Sequence, residues 1–356
     1  MATSFQIQRT SIRDSRFVDH GHRDLESGEV RFGVDFVALT SNNVTYAVAG
    51  DMLDYWGFFP ADLPWGHVPA MGYGTVIESA NPDVEEGSRH FGFFPMADQH
   101  IVLAKGTDAG LFDVGEHRAN HAPAYRQFAN TAADPTYDPE REAHVALLRG
   151  LFLTGWLAED LLFDNDNFDA EATIITSASS KTSIAMGWTV QQRGGVSVGL
   201  TSERNRAFVE GLGCYTEVVT YDEIGEIDAD RRSVVVDMAG NGKLLADVHN
   251  HFGGTLAHSM AIGGSHWESF GEQHEMAGPA PQFFFAPAQI EKRNGDWGNG
   301  EPMRRVGEAF AEYVKFTDSW LEVQHASGQD AFAQAWDDLT AGEVPATVGL
   351  TRTLND

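Results

Sequence analysis

Ala172-Thr173-Ile174-Ile175-Thr176-Ser177-Ala178-Ser179-Ser180-Lys181-Thr182-Ser183-Ile184-Ala185-Met186-Gly187-Trp188-Thr189-Val190 is the stretch whose reading decides the fold. Its opening is a short β-branched run, its middle is small and hydroxylated, and from Ile184 it suits a helix. A second apolar run, Val196 to Leu200, ends at Thr201-Ser202. After it comes a helical segment from Glu203 to Gly213, and a third apolar run closes at Tyr221-Asp222. This is one β–α–β unit followed by a second helix. A crossover between parallel strands needs a dozen or more residues and places a helix N-terminus at the end of its first strand, where free backbone N–H groups attract phosphate.

The usual Gly-x-Gly-x-x-Gly of a dinucleotide site is absent, so the glycine fingerprint fails. Ser177, Ser179, Ser180, Lys181, Thr182 and Ser183 stand in its place. Their hydroxyls and one cation suit a pyrophosphate, and the small residues let its oxygens approach the backbone. The other reading is a helix start with ordinary serine caps. The end of the second strand selects the nucleotide: an acid there suits the ribose hydroxyl of NAD, whereas hydroxyls and arginine suit the extra phosphate of NADP. Thr201, Ser202, Arg204 and Asn205 favour NADPH, with Glu203 dissenting.

Composition excludes other classes. Fifty-two acidic residues against 24 basic ones give a net charge of −28, which repels nucleic acid and anionic membranes. A nucleotide pocket must therefore be a local basic island, and Lys181 with Arg204 supply it. Cys214 is the single cysteine, which rules out an intramolecular disulfide and a multi-cysteine zinc site; its apolar run predicts a buried thiol. Val145 to Phe163 is apolar but carries Arg149, Glu159 and Asp160, so it reads as a buried amphipathic helix. Met1 to Gln6 lacks the form of a signal peptide, and a cytoplasmic protein is expected.

The first 105 residues read as mostly β, with alternation over Val30, Phe32, Val34 and Phe36 and short strands from Pro69 to Val102. Residues 106 to 140 read as a long surface excursion with helical pieces. Beyond the nucleotide unit, Val234 to Gly240, Leu244 to His251, Leu256 to Gly264 and Gln282 to Phe285 alternate strand and helix, which argues for a doubly wound parallel sheet. Gly240 and Gly263 end two of these runs and either admit a cofactor or simply turn the chain.

At this point the chain resembles a medium-chain dehydrogenase/reductase, closest to a bacterial branch of the zinc-free quinone oxidoreductase-like enzymes. The likeness rests on Gly28 to Gly50, Val68 to Val76, Leu212 to Tyr221 and Leu339 to Val344, in that order and spacing. It implies an α/β fold: a GroES-like β-rich catalytic domain, residues 1–140 completed by 321–356, and a Rossmann-type dinucleotide-binding domain, residues 141–320. Where zinc-dependent relatives carry a metal-binding cysteine, this sequence has Thr40-Ser41-Asn42, and where they have Gly-His-Glu it has Gly72-Tyr73-Gly74. No catalytic metal is expected.

Hydride transfer to a carbonyl or enone builds negative charge on oxygen, which without a metal calls for a hydrogen-bond donor. The resemblance gives that place to Tyr46. Asn42 and Asn43 in the same loop would orient the carbonyl, and Tyr73 would face the same cleft. Each is otherwise a packing residue. Thr154 matches the threonine that such enzymes place near the nicotinamide, or is a helix-start residue.

Asp247-Val248-His249-Asn250-His251, read as a strand, puts two histidines on one face without an evident third ligand, so polar strand-end histidines are preferred to a metal site. Asp237 reads as a strand-end helix cap and Phe283-Phe284-Phe285 as core. Lys292, Arg293, Arg304 and Arg305 form a dense basic group that is either a phosphate reader or a solvated loop. Trp56, Phe58 and Phe59 suggest an apolar or aromatic substrate, or equally an aromatic core.

The reading is an NADPH-dependent, metal-free oxidoreductase acting on a quinone, enone or ketone. Ser179, Ser180, Lys181 and Thr182 would bind pyrophosphate, with Ser202, Arg204 and Tyr221 on the 2′-phosphate and Tyr46 with Asn42 or Asn43 on the substrate oxygen. The alternatives are a lyase or hydrolase using the same interdomain cleft, and a non-catalytic NADPH-binding sensor. The partner is a small molecule, with no nucleic acid and no membrane, and a homodimer through a strand near Phe283 is one open arrangement.

Overall fold

The computed structural model describes residues 2–134, 137–238, 240–262 and 274–355. Two compact units divide the chain, 1–147 with 321–356 and 148–320. Elements are numbered in chain order.

The first unit is built on β3 (Glu29–Leu39), β5 (Pro69–Ser79), β6 (Arg89–Pro95), β7 (Gln99–Thr107), β8 (Gly110–Asp113) and β9 (Gln127–Asn130). They follow one another in the order β3-β5-β6-β9-β8-β7, and β7 pairs back onto β3, so the sheet closes into a barrel. Closure removes the strand edges that would otherwise stay unpaired. β17 (Val348–Thr353) adds antiparallel to β3, and β16 (Glu322–Ser327) adds parallel to β17. A small sheet of β1 (Ala2–Gln8), β2 (Ser11–His20) and β4 (Trp65–Gly66) stands beside it.

Alternating apolar residues of these strands fill the barrel. Phe32 lies 5.4 Å from Phe94 and 5.3 Å from Phe128, ring centre to ring centre. Each such buried ring is worth roughly 1.5–3 kcal/mol. Gly92 is required there, because a Cβ at that position would sit 2.5 Å from the Phe128 ring. Phe5, Phe332 and Trp336 continue the core toward α8 (Gln329–Ala341).

Two expectations for this unit are corrected. Thr40 to Val48, read as a loop, holds α1 (Ser41–Val48), made helical by a capping box between Thr40 and Asn43 and by burial of Val44 and Ala47. The excursion at 106–140 contains β8 and β9, which complete the barrel, among short helical turns.

The second unit is a parallel six-stranded sheet in the order β12-β11-β10-β13-β14-β15, comprising β10 (Ala172–Ile175), β11 (Ser197–Thr201), β12 (Glu217–Thr220), β13 (Ser233–Asp237), β14 (Leu256–Ala261) and β15 (Gln282–Phe283). β10, β11 and β13 are buried along their whole length, which is why they read as continuous apolar runs. The strand order reverses between β10 and β13, and ligands bind open α/β sheets beyond the carboxyl ends of the strands at such a switch point. α2 (Glu142–Asp164), α3 (Lys181–Gln192), α4 (Arg206–Leu212), α5 (Gly242–Phe252), α6 (Ala286–Trp297) and α7 (Glu301–Thr317) supply the helices, the first few residues of α2 belonging to the other unit.

Here too some expectations fail. His249 and His251 lie on α5, not on a strand: a helix turns by about 100° per residue, so residues two apart diverge. His249 is fully buried between Ala277 and Ser259, and His251 bonds to the Ile227 carbonyl. Phe283 and Phe285 are exposed, with only Phe284 buried. The basic group belongs to α6 and α7. Arg293 is buried on Asp160 and Asp164, Lys292 meets Asp164, and Arg304 and Arg305 pair with Glu301, so neighbouring acids on the same and adjacent helices compensate these charges. Cys214 is buried, as expected, and burial pushes its thiol up to about 12. Among the described residues no helix is long and apolar enough to cross a membrane.

Candidate functional site

The chain leaves β10 through Thr176 and turns at Ser177, whose φ of 49° is the left-handed conformation that a glycine usually supplies. A non-glycine residue there costs about 1–2 kcal/mol. Thr176 holds the turn from below: its hydroxyl donates to Asp237 Oδ1 at 2.7 Å and accepts from the Met238 N–H at 2.9 Å. Asp237 Oδ2 accepts in turn from the Gly240 N–H at 3.1 Å. Asp237 thus ties the ends of two strands together and is not a helix cap; Asn241 caps α5. Gly240, at φ 68°, turns the chain after β13. Gly263 lies outside the described residues.

Ser180 is the N-cap of α3. Its hydroxyl accepts from the Ser183 N–H at 3.2 Å and lies 2.7 Å from the Ser183 hydroxyl, which also bonds to the Thr176 carbonyl. One serine of the run is therefore an ordinary cap. Ser177, Ser179, Lys181 and Thr182 remain partly exposed around the helix N-terminus. Burial pulls the Lys181 ammonium down to about 8.

The end of β12 brings Tyr221 to the same place. Its phenol is raised by burial, against hydrogen bonds from the Ser177 side chain and backbone and the nearby Arg204 charge, with the Asp237 charge adding to the rise. Asn205 Nδ2 donates to Ser179 Oγ at 3.0 Å, joining the end of β11 to the turn after β10. Arg204 is exposed beside Glu203, and Ser202 is partly exposed just before them. The structure so gathers Ser177, Ser179, Arg204, Asn205 and Tyr221 from three strand ends, next to the N-terminus of α3. Backbone N–H groups, hydroxyls and an arginine in this arrangement fit a phosphate-bearing nucleotide. Thr154 is elsewhere in kind: it sits in mid-α2, not at a helix start, and its hydroxyl donates to the Gly150 carbonyl at 3.0 Å.

In the first unit, Asn42 and Tyr46 are one turn apart on α1, and Asn42 Nδ2 donates to the Tyr46 hydroxyl at 2.6 Å. Asn43 faces the fold instead. Its Oδ1 accepts from the Thr40 N–H at 2.7 Å and its Nδ2 donates to the Pro69 carbonyl at 2.9 Å, so its amide holds α1 to the barrel rather than orienting a ligand. Tyr73 is 3% exposed in β5, packed among the Phe36, Phe91 and Tyr137 rings and under Arg89.

Sequence reading missed the partners of Tyr46. Its ring lies 4.3 Å from Tyr55 and 6.4 Å from Phe93, and the Tyr55 ring stands edge-on to Tyr125 at 6.5 Å. Burial pushes the phenols of Tyr46 and Tyr55 up, the neighbouring tyrosines adding to both shifts, while Asn42 opposes that of Tyr46. Nearby, Arg118 is fully buried, donates to the Phe58 carbonyl at 3.3 Å and to the Tyr125 carbonyl, and stands 3.8 Å from the buried Asp113 carboxylate. Its charge rests on the Phe58 and Phe59 rings, at 4.6 and 5.0 Å, and burial pulls it down to about 10. A second clasp joins His121 Nε2 to Asp54 at 3.0 Å. Trp56, Phe58 and Phe59 are buried and act as core. Among the described residues no group of three or more histidines, cysteines or carboxylates is placed to hold a metal ion.

The two units have an α/β fold, a barrel of GroES type and a doubly wound parallel sheet of Rossmann type, and solved structures share it. CurA from Vibrio vulnificus in complex with NADPH is similar over 99% of both chains, with a TM-score of 0.65 and 12% identity. The yhdH oxidoreductase from Salmonella enterica in complex with NADP matches over 99% of this chain and 100% of its own, at a TM-score of 0.54 and 14% identity. The quinone oxidoreductase from Coxiella burnetii matches over 99% of both, at 0.54 and 15%. Within that fold the chain belongs to the family described as "Protein of unknown function (DUF2855)", whose model matches residues 37–345. A sequence comparison with curated proteins finds no match.

Proposed function

We propose that the protein is an NADPH-dependent, metal-free oxidoreductase that transfers a hydride to a quinone, enone or ketone. The observation that carries this reading is the meeting of Ser177, Arg204 and Tyr221 at the carboxyl end of the parallel sheet. Two neighbours of the same fold, CurA and yhdH, are described in complex with NADPH and NADP.

The bound nucleotide supplies the hydride. Ser202, Arg204 and Tyr221, with Asn205 beside them, would hold the 2′-phosphate end, and the N-terminus of α3 with Lys181 and the Ser177–Ser179 turn would hold the pyrophosphate. In the other unit, the Asn42 amide donates into the Tyr46 oxygen, which leaves the Tyr46 O–H to donate to the substrate oxygen as negative charge builds there. Because burial opposes the phenolate, Tyr46 keeps its proton at neutral pH until the substrate draws it. The Tyr55 and Phe93 rings beside it, with Tyr125 against both, suit a planar, apolar carbonyl compound.

Titration with NADPH and NADH, read by nicotinamide fluorescence, tests the reading. The expected result is a preference for NADPH that Lys181→Ala and Arg204→Ala each weaken about tenfold or more, as loss of a charge-assisted contact does. NADPH oxidation with a quinone and enone panel should fall about a hundredfold or more in Tyr46→Phe, at unchanged nucleotide affinity. Binding of neither nucleotide would overturn the proposal.

A further inference from the structure

Tyr215 stands just before β12, at the opposite end of that strand from Tyr221. We infer that Tyr215 is a positioning residue for the nucleotide, its phenol holding the turn after β10 in the shape that a glycine fingerprint supplies in other dinucleotide folds. The inference deepens the nucleotide reading above and rests on it.

The Tyr215 hydroxyl donates to the Ala178 carbonyl at 3.0 Å, and both residues are buried. Ala178 is pinned from its other side as well, because its N–H donates to the Leu200 carbonyl of β11 at 2.9 Å. Its neighbours in the chain are Ser177, in the left-handed conformation, and Ser179, whose hydroxyl accepts from Asn205. Two glycines make room for the phenol. A Cβ on Gly187 of α3 would stand 2.6 Å from the Tyr215 ring, and one on Gly199 of β11 would stand 3.0 Å from it. A dinucleotide fold ordinarily places its glycines in the turn itself and where the following helix packs closely. Here Gly187 and Gly199 flank a ring that reaches the turn from within.

The carbonyl and the N–H of one trans peptide point in opposite directions, so a carbonyl held by Tyr215 turns the next N–H, that of Ser179, away from the phenol. The Ser177 carbonyl accepts from the Ser180 N–H at 2.7 Å and closes the turn. Ser177 lacks the freedom of a glycine, and its left-handed backbone persists only where the surroundings hold it. The phenol supplies that restraint, and a turn fixed before the ligand arrives loses less freedom when the pyrophosphate binds. Tyr215 acts through Ala178 and Ser179 and does not touch the nucleotide. Ser202 and Arg204, which would read the 2′-phosphate, follow β11, a strand held by its own pairing with β10 and β12.

The test compares two probes on the full chain: NADPH, which carries both the pyrophosphate and the 2′-phosphate, and adenosine 2′-monophosphate, which lacks the pyrophosphate and competes for the adenosine end. Tyr215→Phe keeps the ring and removes the hydroxyl. It is expected to weaken NADPH binding about fivefold or more and to leave adenosine 2′-monophosphate within about twofold of the wild type. Gly187→Ala displaces the ring while keeping the hydroxyl, and the same split is expected of it. Should Tyr215→Phe not fold, Gly187→Ala decides by the same criterion. A role in stability alone weakens both probes together or neither, and either result would overturn the positioning role while leaving the nucleotide reading in place. Binding of neither NADPH nor NADH by the wild type would overturn the nucleotide reading, and the role of Tyr215 with it.

Discussion

Thr176 and Asp237 sit at the ends of β10 and β13, and their 2.7 Å hydrogen bond closes the gap at which the strand order of the parallel sheet reverses. Both side chains are buried, and the same threonine hydroxyl accepts from the Met238 N–H. Thr176→Val keeps the shape and removes both bonds. Each buried polar group that loses its partner costs about 1–3 kcal/mol, so the variant is expected to lose about 2–4 kcal/mol of stability in urea unfolding. Thr176→Ser should recover most of it. A valine variant as stable as the wild type would show that the latch does not hold the turn at Ser177.

Lys181 gives the phosphate site a pH dependence. Burial lowers its ammonium from 10.5 to about 8 in the folded chain. Between these values the unfolded chain holds a proton that the folded chain lacks, so this group's contribution to stability rises with pH from about 8 to 10.5. A bound phosphate does the reverse by favouring the ammonium. NADPH binding at pH 8.5 is therefore expected to take up a fraction of a proton and to weaken as pH rises further. Calorimetry in two buffers of different ionisation enthalpy measures the uptake, and Lys181→Met should abolish it.

Gly155 in α2 faces the first turn and a half of α3. A Cβ there would lie 2.9 Å from the Thr182 carbonyl oxygen and 3.0 Å from the Met186 nitrogen, both backbone atoms that cannot rotate aside. Gly155→Ala must push the two helices apart, at a cost of about 1–3 kcal/mol, even though alanine is the better helix former. Thermal melts should show the loss. Because the N-terminus of α3 moves with it, NADPH affinity is expected to fall as well; unchanged affinity would separate the packing from the phosphate site.

The parallel sheet was legible because β10, β11 and β13 are buried on both faces and so carry short runs of small, apolar and β-branched residues with almost no charge. The carboxyl ends of β10, β11 and β12 then pointed to Ser177, Arg204 and Tyr221, since in a parallel sheet all carboxyl ends point one way. Helix α1 was not legible: Asn42, Asn43, Val44 and Thr45 are poor helix formers, and the helix exists because Asn43 spends its amide on Thr40 and Pro69. The paired histidines of α5 alternate as on a strand, although Leu244, Leu245, Val248 and Phe252 already had helical spacing. Tyr55 and Tyr125 could not be found from local pattern. The barrel, the buried Arg118 and the His121–Asp54 contact bring their segments together, and a lone arginine in a polar stretch gives no sign of being buried.

His100 makes the same region sensitive to acid. Burial holds the His100 imidazole down to about 3, with the Arg118 charge adding to the effect, and its Nε2 is enclosed. Folding therefore requires a neutral ring, whereas the unfolded chain protonates it near 6.5. Below that value the unfolded state binds a proton that the folded state refuses, so stability falls as pH drops from 6.5 toward 3, by up to about 2 kcal/mol at pH 5. His100→Gln cannot take up that proton. Urea unfolding of the wild type and the variant at pH 7, 6 and 5 measures the difference: the variant is expected to start less stable at pH 7, because it loses the ring that stands 4.9 Å from Phe59, and to decline less steeply. Parallel slopes would mean that the ring is already solvated in the folded chain, and that Arg118 and its aromatic bed do not keep water out.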